Sequence, residues 1–226
     1  LKAENIRYIH EGGNITTSYN TTGTRELNIK LTLPGEFSVY NSLCAIAVSE
    51  HFNVDDKLLL DALYNTRVAG RVEPVKVSDD FIVMIDYAHN AMSLESLLST
   101  LREYNPNRIV CLFGCGGNRS KLRRFEMGEV SGRMADLTII TSDNPRDEDP
   151  ALIMQDIETG IKKTSGSYVM MEDRGEAVKY AIEHGEKGDI IVLAGKGHED
   201  YQEIKGVRYH QTDKELVQKA MEDLAR

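Results

Sequence analysis

Asp143-Asn144-Pro145-Arg146, continued by Asp147-Glu148-Asp149-Pro150, decides how this chain is read. Just upstream, Leu137-Thr138-Ile139-Ile140 has the length and β-branched content of a buried strand. A strand running into Ser142-Asp143-Asn144-Pro145-Arg146 sends a polar loop off the edge of a sheet. In open α/β sheets the carboxyl ends of strands are where ligands bind. The loop offers a carboxylate, a carboxamide and a guanidinium, and Pro145 biases Asn144 towards extended backbone. Those groups suit a small zwitterion, because arginine forks onto a carboxylate while Asp or Asn receives an ammonium. A solvated turn ahead of a helix opening near Pro150 is the plainer alternative, and the loop alone does not separate the two.

The same strand-then-polar-loop pattern recurs on both sides. Phe81 to Ile85 is a strand ending in Asp86-Tyr87-Ala88-His89, and Arg108 to Phe113 is one ending in Gly114-Cys115-Gly116-Gly117. Asp189 to Ala194 ends in Gly195-Lys196-Gly197-His198-Glu199, and Tyr168 to Met171 is a further short strand. Between them, Leu94, Leu97, Leu98 and Leu101 share one helix face, a helix is predicted near 123–135, and Ile153, Ile157 and Ile161 mark another. Ala177, Val178, Ala181 and Ile182 mark a helix, and Thr212 with Glu215 has capping-box spacing for the last one. Regular strand–helix alternation with apolar strands predicts an α/β fold with a doubly wound, mostly parallel sheet.

Residues 1–33 read differently. Ile6 to Ile9, Asn14 to Tyr19 and Leu27 to Leu33 alternate as strands, with Glu11-Gly12-Gly13 as a turn signal between the first two. A short helix is predicted from Ser42 to about Phe52, and another from Asp55-Asp56-Lys57. Gly70-Arg71-Val72-Glu73-Pro74 breaks the pattern, which places a domain boundary near Gly70: residues 1–69 and residues 70–226.

With 226 residues and a formal charge of −9 the chain can bury a sizeable core but has no basic footprint for nucleic acid. No apolar run approaches the roughly 20 residues of a membrane span. Leu1-Lys2-Ala3-Glu4 reads as a cut through something longer. Cys44, Cys111 and Cys115 lack CxxC spacing and fit the reduced thiols of a cytoplasmic protein.

In a parallel sheet all four polar loops emerge on one edge, and that convergence predicts a ligand site. Gly114 to Arg119 is neither GxGxxG nor a P-loop, yet its glycines let N–H groups approach an anion and Arg119 adds charge. Lys121, Arg123 and Arg124 read as a solvated basic face. Glu199 is the preferred receiver of an amine, and His198 reads as a loop histidine and not a zinc ligand. Asp86 can accept ribose hydroxyls while the Tyr87 and His89 rings pack on a base. His10, His51, His184 and His210 read as structural or surface residues, and Cys115 as a free thiol.

In this order the loops resemble those of the Mur ligase family. The resemblance runs through Leu33 to Asn41, Gly70-Arg71-Val72-Glu73, Asp86 to His89, Phe113 to Arg119, Asp143 to Arg146 and Gly195 to Glu199, and so spans the chain. It implies a Rossmann-like C-terminal domain preceded by the tail of the central ATPase domain, and ATP-dependent amide formation through an acyl phosphate in peptidoglycan synthesis. In this family an Asp-Asn-Pro-Arg loop marks ligases for meso-diaminopimelate. By motif, Arg119, Asp143, Asn144, Arg146, Gly195 and Glu199 would bind that amino acid, and Asn41, Arg71, Asp86 and His89 would bind ATP. The implied partners are the amino acid, ATP and a UDP-linked muramyl dipeptide, without nucleic acid or membrane. No catalytic group or metal ligand is implied here, Mg2+ being held mainly by central-domain residues outside this chain. The family's phosphate loop and modified lysine are not among these residues. Ser38 stands where the family usually has Asn, and Asn118 and Ser120 replace acidic residues. A lysine-adding or folylpolyglutamate-type relative, or a non-catalytic ligand-binding module, remains the alternative.

Overall fold

The computed structural model describes residues 1–11 and 14–225; Gly12 and Gly13 of the expected first turn lie outside the described residues. β1 (Lys2–Glu11), β2 (Asn14–Thr22) and β3 (Asn28–Leu31) form an antiparallel sheet in that order. Alternation along β2 and β3 turns Tyr19, Ile29 and Leu31 inward against Val39 and Ile46 of α1 (Glu36–His51) and Leu59 of α2 (Asp56–Asn65).

α1 begins at Glu36, ahead of the expected Ser42. Its pattern is masked because serines occupy the buried face. Ser38, Ser42 and Ser49 are buried by donating to the carbonyls of Pro34, Val39 and Ile46 at 2.7–2.8 Å. Its outer face carries exposed Phe37, Tyr40 and Val48.

The second unit is a six-stranded sheet. Its strands are β4 (Glu73–Val75), β5 (Ile82–Asp86), β6 (Ile109–Phe113), β7 (Leu137–Ile140), β8 (Tyr168–Met170) and β9 (Ile190–Ala194), in spatial order β4-β5-β9-β6-β7-β8. All pairings are parallel except β4 with β5. The sequence read Glu73-Pro74 only as a break, but a proline is tolerated in a short edge strand. Successive strand residues point to opposite faces. Ile190 and Val192 pack with Leu94 of α3 (Ala91–Arg102), Met127 of α4 (Lys121–Met134) and Ile157 of α5 (Pro150–Ile161). Ile191 and Leu193 pack with Val178 of α6 (Arg174–Glu183) and Val217 of α7 (Asp213–Leu224) on the other side. The expected capping box closes α7: Glu215 N donates to Thr212 Oγ1 at 3.1 Å, and Thr212 N to Glu215 Oε2 at 3.2 Å.

Tyr104 joins the two sheets. Its hydroxyl lies 2.6 Å from Thr17 Oγ1 and accepts from Gly35 N at 3.0 Å, and its ring meets Tyr8 edge-on at 5.3 Å. Two glycines decide how closely α4 and α5 approach. A Cβ at Gly128 would sit 2.1 Å from Ile157 O, and one at Gly160 would sit 2.0 Å from Phe125 O. Gly128→Ala is therefore expected to push the helices apart and lower unfolding stability by about 1–3 kcal/mol. Urea denaturation measures it, and an unchanged midpoint would refute the packing account.

One hairpin escaped the sequence pattern. β10 (Tyr201–Ile204) and β11 (Val207–His210) pair across Lys205-Gly206. Both turn residues have positive φ, +48° and +76°, as a tight hairpin turn of this kind requires. Lys-Gly is a weaker cue than Asn-Gly, and the strands are largely polar.

Candidate functional site

β5, β9, β6 and β7 are adjacent and parallel, so their carboxyl ends share one edge. A cavity of about 350 Å³ opens there, lined by Tyr87, His89, Gly116, Arg119, Asp143, Asn144, Arg146, Gly195 and Glu199 among others. All six residues expected to bind the amino acid thus meet at one cavity, although they come from three separate loops. α4 starts at this rim: Ser120, its N-cap, makes no side-chain capping bond and lines the cavity, so the helix's N-terminal amides add to the field for an anion.

The two arginines differ. Arg119 is exposed and makes no hydrogen bond or ion pair among the described residues. Arg146 is held: Nη1 donates to Gly117 O at 2.8 Å, and Nε lies 3.5 Å from Glu203 Oε2. Asn144 is only 3% exposed. Its Nδ2 donates to Glu199 Oε2 at 2.9 Å and its Oδ1 accepts from Glu203 N at 2.9 Å. The carboxamide therefore orients Glu199 and has one N–H left for a ligand. Asp143 is buried and accepts from Asn144 N at 2.6 Å, and its other oxygen lies 3.1 Å from where a Gly195 Cβ would stand. Gly195, at φ +105°, lets that carboxylate approach the main chain.

Beneath these groups lies Lys196, fully buried. Its ammonium donates to Tyr201 O and lies 3.5 Å from Asn144 Oδ1 and 3.7 Å from Glu199 Oε2. Burial pulls its pKa down, against the attraction of Asp143 and Glu199. Arg174 behind it forks onto Asp213 at 2.6 and 2.7 Å, and its Nη2 donates to Ala194 O at 3.3 Å. Neither buried cation was singled out in the sequence. A glycine-flanked lysine carries no mark of burial, and Arg174 and Asp213 are distant in the chain.

Arg124 corrects the sequence reading of a solvated basic face. It is 1% exposed and pairs with Glu148 at 2.7 Å and Asp156 at 2.9 Å, and it lines the cavity. Its partners arrive from the 143–150 loop and α5, which helix periodicity in α4 does not reveal. Lys121 does stay exposed. Asn118 has φ +55°, a conformation that asparagine adopts more readily than most side chains. Burial pushes the Cys115 thiol up to about 12, which agrees with a free, unreactive thiol.

The residues expected at ATP do not share one cavity: Arg71 and Asp86 line a smaller one, His89 the larger, and Asn41 neither. A smaller cavity of about 200 Å³ between α1 and α3 is lined by Pro34, Phe37, Val72, Leu97, Arg71 and Asp86 among others. Asp86 is buried, and its two oxygens accept from Val72 N and Ala88 N, each at 2.8 Å. Burial raises its pKa, while those two amides and Arg71 oppose the rise. Arg71 lies over the Tyr87 ring at 5.0 Å. Asn41 is exposed on α1, one turn beyond Phe37. His89 instead stands at the larger cavity, its Nδ1 2.8 Å from Tyr87 O.

Helices cover both faces of the parallel sheet, and the cavity at its carboxyl edge brings two arginines together with two carboxylates. Residues 70–197 match the family profile described as Mur ligase, glutamate ligase domain, and the chain belongs to the Mur ligase family. It is 49% identical over 176 residues to the UDP-N-acetylmuramoyl-L-alanyl-D-glutamate--2,6-diaminopimelate ligase of Caldanaerobacter subterraneus subsp. tengcongensis, covering 78% of this chain and 36% of that protein. It is 40% identical to ligase 1 of the same name from Clostridium acetobutylicum, over 99% of this chain and 46% of that one. A solved structure of a ligase of that name superposes with a TM-score of 0.75 at 33% identity, over 98% of this chain and 45% of that chain. The chain thus spans less than half the length of these relatives.

Proposed function

We propose that this chain is the C-terminal part of an ATP-dependent ligase that joins meso-diaminopimelate to UDP-MurNAc-L-Ala-D-Glu in cytoplasmic peptidoglycan synthesis. The observation that carries the reading is one cavity lined by Arg119 and Arg146 together with Asp143 and Glu199. One amino-acid end of diaminopimelate needs that pairing: a carboxylate for the guanidinium groups and an ammonium for the carboxylates. Holding one end leaves the amine of the other end to react. That amine attacks an acyl phosphate, formed when the ATP γ-phosphoryl group moves to the dipeptide carboxylate. The amide C–N bond forms, the C–O bond to phosphate breaks, and phosphate leaves with the amine's proton passed to solvent or base.

The smaller cavity supports the ATP assignment, with Phe37 and Leu97 offering apolar walls for a base, Asn41 nearby and Arg71 beside Asp86 at the polar end. His89 is assigned to the same nucleotide from the larger cavity's rim. Mg2+ would neutralise the ATP phosphates, held mainly by central-domain residues outside this chain; among the described residues no group of three or more His, Cys, Asp or Glu is placed to hold a metal. Residues 1–69 are assigned to the central ATP-binding domain and 70–226 to the C-terminal domain. The exposed Phe37, Tyr40 and Val48 on the outer face of α1 support that division, because such an apolar face suits a helix packed against further central-domain residues.

Turnover by the full-length ligase with diaminopimelate and with lysine tests the proposal, and preferential lysine incorporation would sink it. The 226-residue chain alone is expected to give no ATP-driven ligation in the same assay, since the family's phosphate loop is not among its residues.

A further inference from the structure

The β10–β11 hairpin grips the loop that carries Arg146. Gln202 Nε2 donates to Asp143 O at 2.9 Å and to Ser142 Oγ at 3.4 Å. Next along the strand, Arg146 N donates to Glu203 O at 2.9 Å and Lys205 N donates to Arg146 O at 2.8 Å. Arg146 thus forms an extra parallel bridge to Ile204. Its φ is +51°, a left-handed conformation that a side chain with a Cβ adopts only where its surroundings impose it. The surroundings here are this hairpin.

The geometry points to Gln202 as a positioning residue for amino-acid choice, acting through the 142–146 main chain on Arg146. This rests on the diaminopimelate reading above. Gln202 is half-buried and lines a second cavity with Pro145, Arg146 and Gln211. It does not line the cavity that Arg146 shares with Arg119 and Glu199. An effect of Gln202 on ligand choice must therefore pass through the loop. Its carboxamide holds the carbonyl immediately before Asn144, so losing it loosens the stretch that carries Asn144 and Arg146. Lysine lacks the carboxylate that Arg146 would meet, and its binding is indifferent to that guanidinium's position. The arginine's place, and not the cavity as a whole, is what Gln202 sets.

Two variants of the 226-residue chain test this, Gln202→Ala and Gln202→Glu, the second placing a carboxylate against the Asp143 carbonyl. Hydrogen exchange without ligand is expected to speed up about 3- to 10-fold at the Arg146 and Lys205 amides, with the β9 and β6 amides unchanged. Calorimetry is expected to show diaminopimelate binding weakened by about the same factor and L-lysine binding unchanged. Unchanged exchange at Arg146 overturns the proposal, as does an equal loss for both amino acids. If the parent chain itself shows no preference for diaminopimelate, the ligand reading falls. The exchange result then decides by itself whether Gln202 holds the loop.

Discussion

Arg146→Ala is expected to lose about 10- to 150-fold in affinity for meso-diaminopimelate while lysine affinity stays close to that of the parent. The distal carboxylate would lose its charged, forked partner, a contact of about 1.5–3 kcal/mol. Arg146→Lys should recover only part of the loss, because an ammonium is a point charge without the planar fork. Backbone strain needs its own control, since alanine at φ +51° keeps the penalty that arginine bears there. Arg146→Gly removes both guanidinium and penalty. It should be at least as stable as Arg146→Ala and bind diaminopimelate equally poorly. Calorimetry with both amino acids and a melting curve for each variant make the measurement. An Arg146→Ala chain that still prefers diaminopimelate tenfold would show that the discriminating group is elsewhere, with Arg119 the first candidate.

Asp213→Ala should produce the largest loss of stability. Arg174 and Asp213 are 2% and 1% exposed and form a two-pronged ion pair between the N-termini of α6 and α7. Burial alone would lower the arginine's pKa, but Asp213, helped by Asp143 and Glu199, outweighs this and the net shift is upward. Removing the carboxylate leaves a buried guanidinium whose one remaining hydrogen-bond partner among the described residues is Ala194 O, Nη1 having none among them even in the parent. Breaking such a pair costs about 3–5 kcal/mol. In a chain of this length that lowers the melting temperature by about 6–20 °C. Replacing both partners, Arg174→Met with Asp213→Leu, should restore most of it, because the cost lies in the stranded charge and not in the lost attraction. A single Asp213→Ala variant melting within 2 °C of the parent would mean that water reaches the pair. Because Arg174 also holds the last carbonyl of β9, the Gly195–Glu199 loop should loosen alongside.

Much of the second unit could be read from the chain. β5, β6, β7 and β9 are continuous apolar runs because helices cover both faces of their sheet, and such runs are hard to mistake. The free thiols and the α7 capping box are equally local features. α1 and the β10–β11 hairpin were harder for opposite reasons. α1 buries serines and exposes aromatics, inverting the pattern, while the hairpin is polar and turns on Lys205-Gly206. Arg124, Lys196 and Arg174 look like surface charges in sequence and are interior ones in the fold: Arg124 and Arg174 pair with carboxylates remote in the chain, and Lys196 is attracted both by its near neighbour Glu199 and by the remote Asp143.

By itself the sequence determined the strand–helix alternation, the polar loops at four strand ends and the residue types able to hold a zwitterion, all of which depend on neighbours a few positions apart. Only the tertiary structure decided that β9 inserts between β5 and β6, bringing Glu199 beside Asn144, and that a hairpin sixty residues downstream props Arg146 in a left-handed turn. The reason is physical: periodicity reports which side of an element is buried, whereas charge pairing and strand order depend on which distant segments share the interior.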